Sequence, residues 1–226
     1  MTEAVRRCAG VLGVVAVLAL PGFAQAQLDQ YDYEYLTFRG IGLEAGYLWA
    51  NKVDATPTIG ARFDMGYAGP GLRIVPGIRY WSSNVKDSEV TGFEDRLRQI
   101  LEQANPGQPV PDVELGQIKW SDLVLTLDGH FVWEVPFGAL TFLGAGFSAH
   151  FLNGSGELVN ETFIEDLLDR VSAGVNAHTG LEVPLSPKLR LYGTGKYEIL
   201  DDLSYFEMRA GLQFLFGGGA DERTQQ

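Results

Sequence analysis

The chain has 226 residues, a formal net charge of −12 at pH 7 and 46% hydrophobic residues. This length suits one large domain or two small ones, and the hydrophobic content excludes an intrinsically disordered polymer. Acidic residues outnumber basic ones by 29 to 17, and no cluster of Lys and Arg occurs beyond the N-terminus. A surface that neutralises phosphates is therefore not expected, which argues against nucleic acid as a partner.

The N-terminus has the three parts of a secretory signal peptide, predicted over residues 1–26. Arg6 and Arg7 precede the apolar run Cys8–Leu20, and the small residues Ala24 and Ala26 mark the cleavage site. The apolar run is shorter than the roughly 20 residues that a membrane-spanning helix needs. Processing after Ala26 would remove the only cysteine, so we expect an exported chain without disulfides.

From residue 39 onward, apolar and polar residues alternate with a period of two, which is typical of strands with two different faces. In the first segment, Ile41 and Leu43 share one face, while Gly42 and Glu44 share the other. Eight segments of this kind occur along the chain. Each is close to the roughly 9 to 11 residues of a tilted membrane-spanning strand.

The connections between these segments also alternate in character. Short turns containing Gly or Pro join segments two and three, four and five, and six and seven, whereas the links near 82–119 and 152–172 are long. An up-and-down order of strands then puts the short turns at one end and the longer links at the other. The pattern predicts an all-β, eight-stranded antiparallel transmembrane β-barrel over residues 39–216, between a lead-in at 27–38 and a periplasmic tail at 217–226.

Alternation alone leaves open which face points inward, because a soluble secreted barrel would bury its apolar face. The interior of an eight-stranded barrel is only wide enough to be filled by side chains. The face with repeated glycines and charges fits this lumen better, so we expect the bulky apolar face to meet lipid. Aromatic residues near the segment ends would then form girdles at the membrane interfaces: Tyr47, Trp49, Tyr67, Tyr80, Trp81, Trp120 and Trp133.

With this phase, nearly equal numbers of acids and bases point into the lumen. Buried charges are tolerated when they are paired and hydrogen-bonded, so we predict a salt-bridge network across the lumen. Its predicted members, with three histidines, are Glu44, Arg62, Asp64, Arg73, Arg79, Asp128, His130, Glu134, His150, His178, Glu182, Arg190, Lys196, Glu198, Glu207 and Arg209. Two functions stay open: a structural barrel plugged by charges, or a narrow channel for small or hydrophobic solutes.

We predict no metal ion, no cofactor and no catalytic residue. His130, His150 and His178 come from three different strands, so a shared metal would depend on the strand stagger. Ser148 and His150 share a face, as in outer-membrane barrels that hydrolyse or transfer acyl chains. Two residues along a strand span about 7 Å, however, which is too far for a hydrogen bond between nucleophile and base. A lipid-modifying enzyme therefore stays the third alternative.

Both long connections contain amphipathic helical patterns. Gly92–Asn105 places Phe93 and Leu97 at helical spacing, and residues 163–171 carry a second apolar stripe. Helices this short are marginal alone, so their stripes should pack on each other or on the barrel rim. The alternatives are a helical cap over the outer mouth and plain loop decoration.

The final segment carries the most specific motif. Arg209-x-Gly211-x-x-Phe214-x-Phe216 matches the pattern polar-x-Gly-x-x-aromatic-x-aromatic. With the eight segments and the asymmetric connections, the chain resembles the OmpA-type and OmpW-like family of small Gram-negative outer-membrane barrels. The resemblance implies outer-membrane location, delivery by periplasmic chaperones to the barrel-assembly machinery, and contact with lipid and lipopolysaccharide. We expect a monomeric, non-enzymatic protein with a structural or surface role.

Overall fold

Eight antiparallel strands close into one barrel in the computed structural model, which describes residues 36–104, 106, 115–156 and 170–216. Each strand pairs with the next, and β8 pairs with β1. The strands are β1 (Leu36–Ala50), β2 (Thr56–Gly69), β3 (Leu72–Asn84), β4 (Ile118–Val135), β5 (Ala139–Gly156), β6 (Arg170–Ser186), β7 (Leu189–Leu200) and β8 (Ser204–Leu215). The predicted all-β barrel is confirmed.

Several predicted segments lie outside the described residues. They are the signal peptide with its cleavage residues Ala24 and Ala26, most of the lead-in, and the tail at 217–226. These assignments stay predictions. The first strand begins at Leu36, slightly before the predicted start of the barrel.

The period of two gives the barrel an apolar exterior. Large outward side chains such as Leu43, Ile59, Leu127 and Phe147 are all more than half exposed. Residues between them turn inward because successive side chains of a strand point to opposite faces. A closed barrel leaves no unpaired strand edge, which is the condition for crossing a bilayer with strands.

The connections at the two ends of the barrel differ less than expected. At the inner end, tight turns join β2 to β3, β4 to β5 and β6 to β7, and Gly71 has the positive φ of 70° that its turn needs. At the outer end, the long links follow β3 and β5. The other two outer links, 51–55 and 201–203, have only five and three residues, so only half of the outer links are long.

The aromatic girdle contains fewer of the predicted residues than expected. Tyr47, Trp49 and Tyr80 are exposed on the exterior, and Trp49 stacks on Phe206 with ring centroids 6.1 Å apart. Trp133 also faces outward but is half-buried. These positions agree with the predicted interfacial role.

Tyr67, Trp81 and Trp120 were wrongly predicted to face lipid. Trp81 follows the outward Tyr80, so alternation turns it into the lumen, where it is 1% exposed. Trp120 shares the inward face of β4 and packs against buried residues at the outer mouth. Gly66, with φ of 77°, accompanies an irregularity in β2, after which Tyr67 pairs with the inward-facing Arg73.

A cluster of apolar side chains lies at the outer mouth of the barrel, and we call it the outer cluster. The helix α1 (Asp87–Ala104) packs Val90, Phe93 and Leu97 against it. The buried members are Leu48, Val53, Trp81, Val85, Val90, Leu115, Ile118, Val124, Leu152, Leu200, Leu203 and Tyr205. The first predicted helix therefore caps the mouth.

Helix α1 begins five residues earlier than the predicted start at Gly92, at Asp87. Asp87 and Glu89 occupy its first turn, where the helix dipole favours negative charge, and Val90 anchors that turn in the outer cluster. Among the described residues, no helix is long and apolar enough to cross a membrane. The second predicted helix lies mostly outside the described residues, and Val171 at its end belongs to β6.

A smaller group, the inner cluster, closes the other end of the lumen. It consists of Val132, Leu140 and Phe142, with Tyr67 packed against them. The charged interior thus lies between two apolar layers. This arrangement removes the paired charges from bulk water at both ends.

Candidate functional site

The barrel interior is the candidate site, and its inner half is organised around Glu182, which is fully buried. Arg62 donates to Glu182 Oε1 at 2.7 Å, and Arg73 donates to both carboxylate oxygens at 2.5 and 3.0 Å. Arg190 lies 3.5 Å from Glu182 Oε2. We call these four residues the inner hub. One carboxylate therefore holds three guanidinium groups, the charge-assisted pairing that buried arginines require.

Asp64 and Gln213 extend the inner hub toward β1. Asp64 lies 3.6 Å from Arg73 and accepts a hydrogen bond from Gln213 Nε2 at 2.9 Å. The Gln213 side-chain oxygen in turn accepts from Arg62. Gln213 was not among the predicted network residues, although its position in the alternation of β8 already placed it inward.

The outer half has the opposite arrangement, with Arg79 in the centre. Arg79 donates to Glu198 at 3.2 Å, to Glu207, and to the Tyr205 hydroxyl at 3.3 Å. Thr58 donates a further bond to Glu207 at 2.7 Å. We call Arg79, Glu198 and Glu207 the outer hub. Tyr205, which also belongs to the outer cluster, was missed as a network residue because aromatic side chains were assigned to the exterior.

Glu44 and Tyr192 lie between the two hubs. Glu44 pairs with Arg209 and accepts a bond from the Tyr192 hydroxyl at 3.0 Å. The Arg62 guanidinium lies over the Tyr192 ring, 3.3 Å from its centroid. Arg209 also approaches Glu207 at 3.4 Å. A continuous set of contacts therefore runs from the inner hub to the outer hub.

Ser148 and His150 are closer than predicted from strand spacing, and the prediction that they are too far apart for a hydrogen bond is wrong. His150 Nε2 lies 3.0 Å from Ser148 Oγ, and His150 Nδ1 lies 2.7 Å from Asp122 Oδ2. The two side chains lean toward each other, so the 7 Å between their Cα positions does not separate their polar atoms. The distances are those of a Ser-His-Asp triad.

The hydrogen bonds of this group differ from those of a catalytic triad. Ser148 Oγ lies 2.5 Å from Glu198 Oε1, and Glu198 also accepts from Arg79. The single hydroxyl hydrogen is therefore used toward the carboxylate, so Ser148 does not donate to His150 Nε2 as a triad serine donates to its base. His150 lies between Asp122 and Glu198, whose Oε1 is 3.8 Å from His150 Nε2.

Glycines explain how side chains from strands that are not neighbours can touch. A Cβ added to Gly144 of β5 would lie 2.2 Å from His178 Nε2 of β6, and one added to Gly146 would lie 2.1 Å from Asp128 Oδ1 of β4. A Cβ on Gly174 of β6 would lie 2.5 Å from Ser148 Oγ. Side chains of the flanking strands therefore meet across each glycine, where any larger residue would separate them.

The middle of the lumen contains a third group. Lys196 donates to Asp128 Oδ2 at 2.7 Å, and Asn176 donates to Asp128 Oδ1 at 3.1 Å. His178 Nδ1 lies 2.8 Å from Asn176 Oδ1. His130 stands next to His178, with ring centroids 4.8 Å apart. Two of the three histidines are thus adjacent, and His150 is in the outer half.

Fifteen of the sixteen residues predicted for the network lie in this interior, and Glu134 does not join them. Glu134 shares the inward face of β4 but sits close to the inner end, where it is exposed. Asp122 takes part in the network and was missed. With His150 protonated, seven cationic groups face seven carboxylates: Arg62, Arg73, Arg79, His150, Arg190, Lys196 and Arg209 against Glu44, Asp64, Asp122, Asp128, Glu182, Glu198 and Glu207.

Side chains leave little free space in this part of the lumen. A cavity of about 20 Å³ lies between Thr126, Thr194 and the residues of the middle group. This volume holds about one water molecule. A hydrated ion or an organic solute needs more space than this cavity offers.

The closing motif has one part on each face of β8. Phe214 and Phe216 are exposed, and Phe216 contacts Phe38 with ring centroids 5.4 Å apart. Arg209 points inward, and a Cβ on Gly211 would lie 2.6 Å from the Tyr192 hydroxyl. Recognition of this motif by the assembly machinery stays a prediction.

The fold and the distribution of polarity define the class of protein. A closed antiparallel barrel with an apolar exterior, a charged interior and long links at one end is the architecture of outer-membrane barrels. The chain is a small integral outer-membrane β-barrel protein, and the predicted location in the bacterial outer membrane is confirmed.

Solved structures similar to this chain are also outer-membrane barrels. Neisserial surface protein A is 14% identical, with a TM-score of 0.48 over 79% of this chain and 97% of its own. Ail, the attachment invasion locus protein of Yersinia pestis, is 9% identical, with a TM-score of 0.48 over 80% and 99%. The outer membrane protein OprG from Pseudomonas aeruginosa is 12% identical, with a TM-score of 0.47 over 83% and 100%. Neither the protein-family models nor the curated proteins include a match.

Proposed function

We propose that this protein is a structural or surface barrel whose lumen is plugged by paired charges, and that it does not conduct solutes. The observation that carries the proposal is the inner hub, where Glu182 and three arginines from β2, β3 and β7 meet across the interior. The residual cavity of about 20 Å³ supports the same conclusion. Opening a path would require buried ion pairs to separate, which costs several kcal/mol.

The outer surface is then the part available to partners. Helix α1 covers the mouth, so partners would meet its exposed face and the short outer links rather than the lumen. The apolar belt would contact outer-membrane lipid and lipopolysaccharide. Periplasmic chaperones and the barrel-assembly machinery stay predicted partners during biogenesis, and the protein is proposed to be a monomer.

A catalytic role is not part of the proposal. Ser148 is buried and its hydroxyl hydrogen is used toward Glu198, so the group that most resembles an active site has no activated nucleophile. Asp122 and Glu198 instead hold His150 within the network.

Planar-bilayer recordings test the plug. The purified barrel should give no stable single-channel steps, because the ion pairs of the inner hub close the lumen. Glu182→Gln removes the central carboxylate, and Glu134→Gln is the matched control because Glu134 is exposed outside the network. Stable steps in the unmodified protein whose conductance changes in Glu182→Gln, but not in Glu134→Gln, would overturn the proposal in favour of a narrow channel.

A further inference from the structure

We propose that Asp128, His130 and His178 form a binding site for a divalent transition-metal ion such as Zn²⁺. One ligand atom of each residue lies within 4.8 Å of the other two, and all three residues are buried. Two imidazole nitrogens and a carboxylate oxygen are a ligand set that Zn²⁺ accepts. Because the closed lumen gives a hydrated ion no path to these residues, the metal would be bound while the barrel folds.

The orientation of His178 is that of a metal ligand. Its Nδ1 lies 2.8 Å from the Asn176 side-chain oxygen, so the ring hydrogen sits on Nδ1 and Nε2 keeps a lone pair. Among the described residues, nothing hydrogen-bonds to this buried Nε2 atom. Ligating histidines commonly donate their other ring N–H to an oxygen that fixes the ring, and Asn176 has this relation to His178.

The backbone of β5 leaves room for the three side chains to converge. Gly144 and Gly146 lie between β4 and β6, and a Cβ at either position would collide with His178 or Asp128. The cavity of about 20 Å³ borders Asp128, His130 and His178 and could hold one water molecule as a fourth ligand. Tetrahedral Zn²⁺ places its ligand atoms about 3.3 Å apart, so rotations of the side chains would complete the site.

Two cations compete with the metal and set its affinity. Lys196 occupies Asp128 Oδ2 at 2.7 Å, and Arg73 lies 3.3 Å from His130 Nδ1. Binding through His130 Nε2 must break the long contact with Arg73, after which Nδ1 carries the ring hydrogen and Arg73 keeps Glu182. The positive charge of Lys196 repels a divalent cation, so replacing Lys196 by a neutral residue should strengthen metal binding.

Refolding of the tag-free barrel in the presence of metal, followed by removal of unbound ions, tests the site, since the chain has only three histidines. We expect one Zn²⁺ per barrel by elemental analysis and one Co²⁺ with a tetrahedral visible spectrum. His178→Gln should weaken binding at least about tenfold. Lys196→Gln should strengthen it about tenfold. His150→Gln is the matched control, because His150 lies outside the group, and it should bind as the unmodified protein does.

Each result decides the proposal once heat-modifiable gel mobility shows that the variant is folded. Gly144→Ala keeps all three ligands but puts a methyl group beside His178 Nε2, so a folded Gly144→Ala barrel should not bind. If that variant does not fold, His178→Gln and Lys196→Gln still give the answer. Equal binding by His178→Gln and the unmodified protein, or no binding by Lys196→Gln at about 1 mM metal, would overturn the site.

Discussion

The two halves of the lumen satisfy buried charge with opposite signs in the centre. In the inner hub a single carboxylate, Glu182, is surrounded by three guanidinium groups. In the outer hub a single guanidinium group, Arg79, is surrounded by Glu198, Glu207 and the Tyr205 hydroxyl. Neither half is neutral alone, since the inner half has an excess of cations and the outer half an excess of carboxylates.

This difference shows where the interior is most vulnerable. Among the described residues, Arg73 of the inner hub has Asp64 as a further carboxylate partner. In the outer hub, Glu207 has Thr58 and Arg209, and Glu198 has Ser148. Loss of the central residue should therefore cost more in the inner hub than in the outer hub.

The largest effect is expected for Glu182→Gln. Removing one partner of a buried ion pair leaves charge without compensation, and here three arginines lose their shared carboxylate, so unfolding free energy should fall by about 3–5 kcal/mol. Urea titration in lipid vesicles, followed by heat-modifiable mobility, measures the change. Glu134→Gln, on an exposed carboxylate, should change stability by less than about 0.5 kcal/mol. Equal losses of unfolding free energy in the two variants would contradict the central role of Glu182 in the inner hub.

The exterior and the phase of the strands could be predicted from sequence. Leu43 outward and Glu44 inward follow from a period of two, which holds wherever a strand is regular. The side-chain orientations that were predicted wrongly belong to residues where the alternation was not applied or where the strand is irregular. Trp81 directly follows Tyr80, so both cannot face lipid, and Tyr67 changes face after Gly66, whose bulge leaves no mark on the alternation.

The contacts inside the lumen could not be predicted in the same way. The alternation of apolar and polar residues predicts that Asp128 and His178 point inward. Their proximity, however, depends on the strand register and on Gly146 and Gly144 in β5. The prediction for Ser148 and His150 used only the distance between their backbone positions. Their side chains lean toward each other, which brings the polar atoms within hydrogen-bond distance. Glycines that face inward on a middle strand are a sequence signal that could have indicated these contacts.

A smaller loss is expected for Arg79→Gln in the outer hub. Glu198 and Glu207 lose their shared cation but keep hydrogen bonds from Ser148 and Thr58, so the loss should be about 2–3 kcal/mol. Arg96→Gln on the exposed face of α1 is the matched control. The same urea titration ranks the variants. An Arg79→Gln loss as large as that of Glu182→Gln would show that the two halves are equally dependent on their centres.

The smallest effect is expected at the outer rim, where Asp202 accepts a hydrogen bond from Arg170 at 2.9 Å and lies 3.8 Å from Lys52. The hydrogen bond from Arg170, with the charge of Lys52, lowers the pKa of the Asp202 carboxyl. A lowered pKa stabilises the fold above the usual aspartate range near pH 3.9, and this contribution disappears as the pH falls through the lowered value.

Asp202→Asn should therefore reduce stability at pH 7 by only about 0.2–0.5 kcal/mol, because the side chain is 57% exposed and water screens the pair. The difference from the unmodified protein should vanish as the pH falls through the lowered pKa of Asp202, because both side chains are then neutral. Asp201→Asn, on the neighbouring exposed carboxylate, is the control. A loss of unfolding free energy above about 1 kcal/mol, or a stability difference between Asp202→Asn and the unmodified protein that increases in acid, would contradict this prediction. The ion pairs of the rim would then matter for stability as much as those inside the barrel.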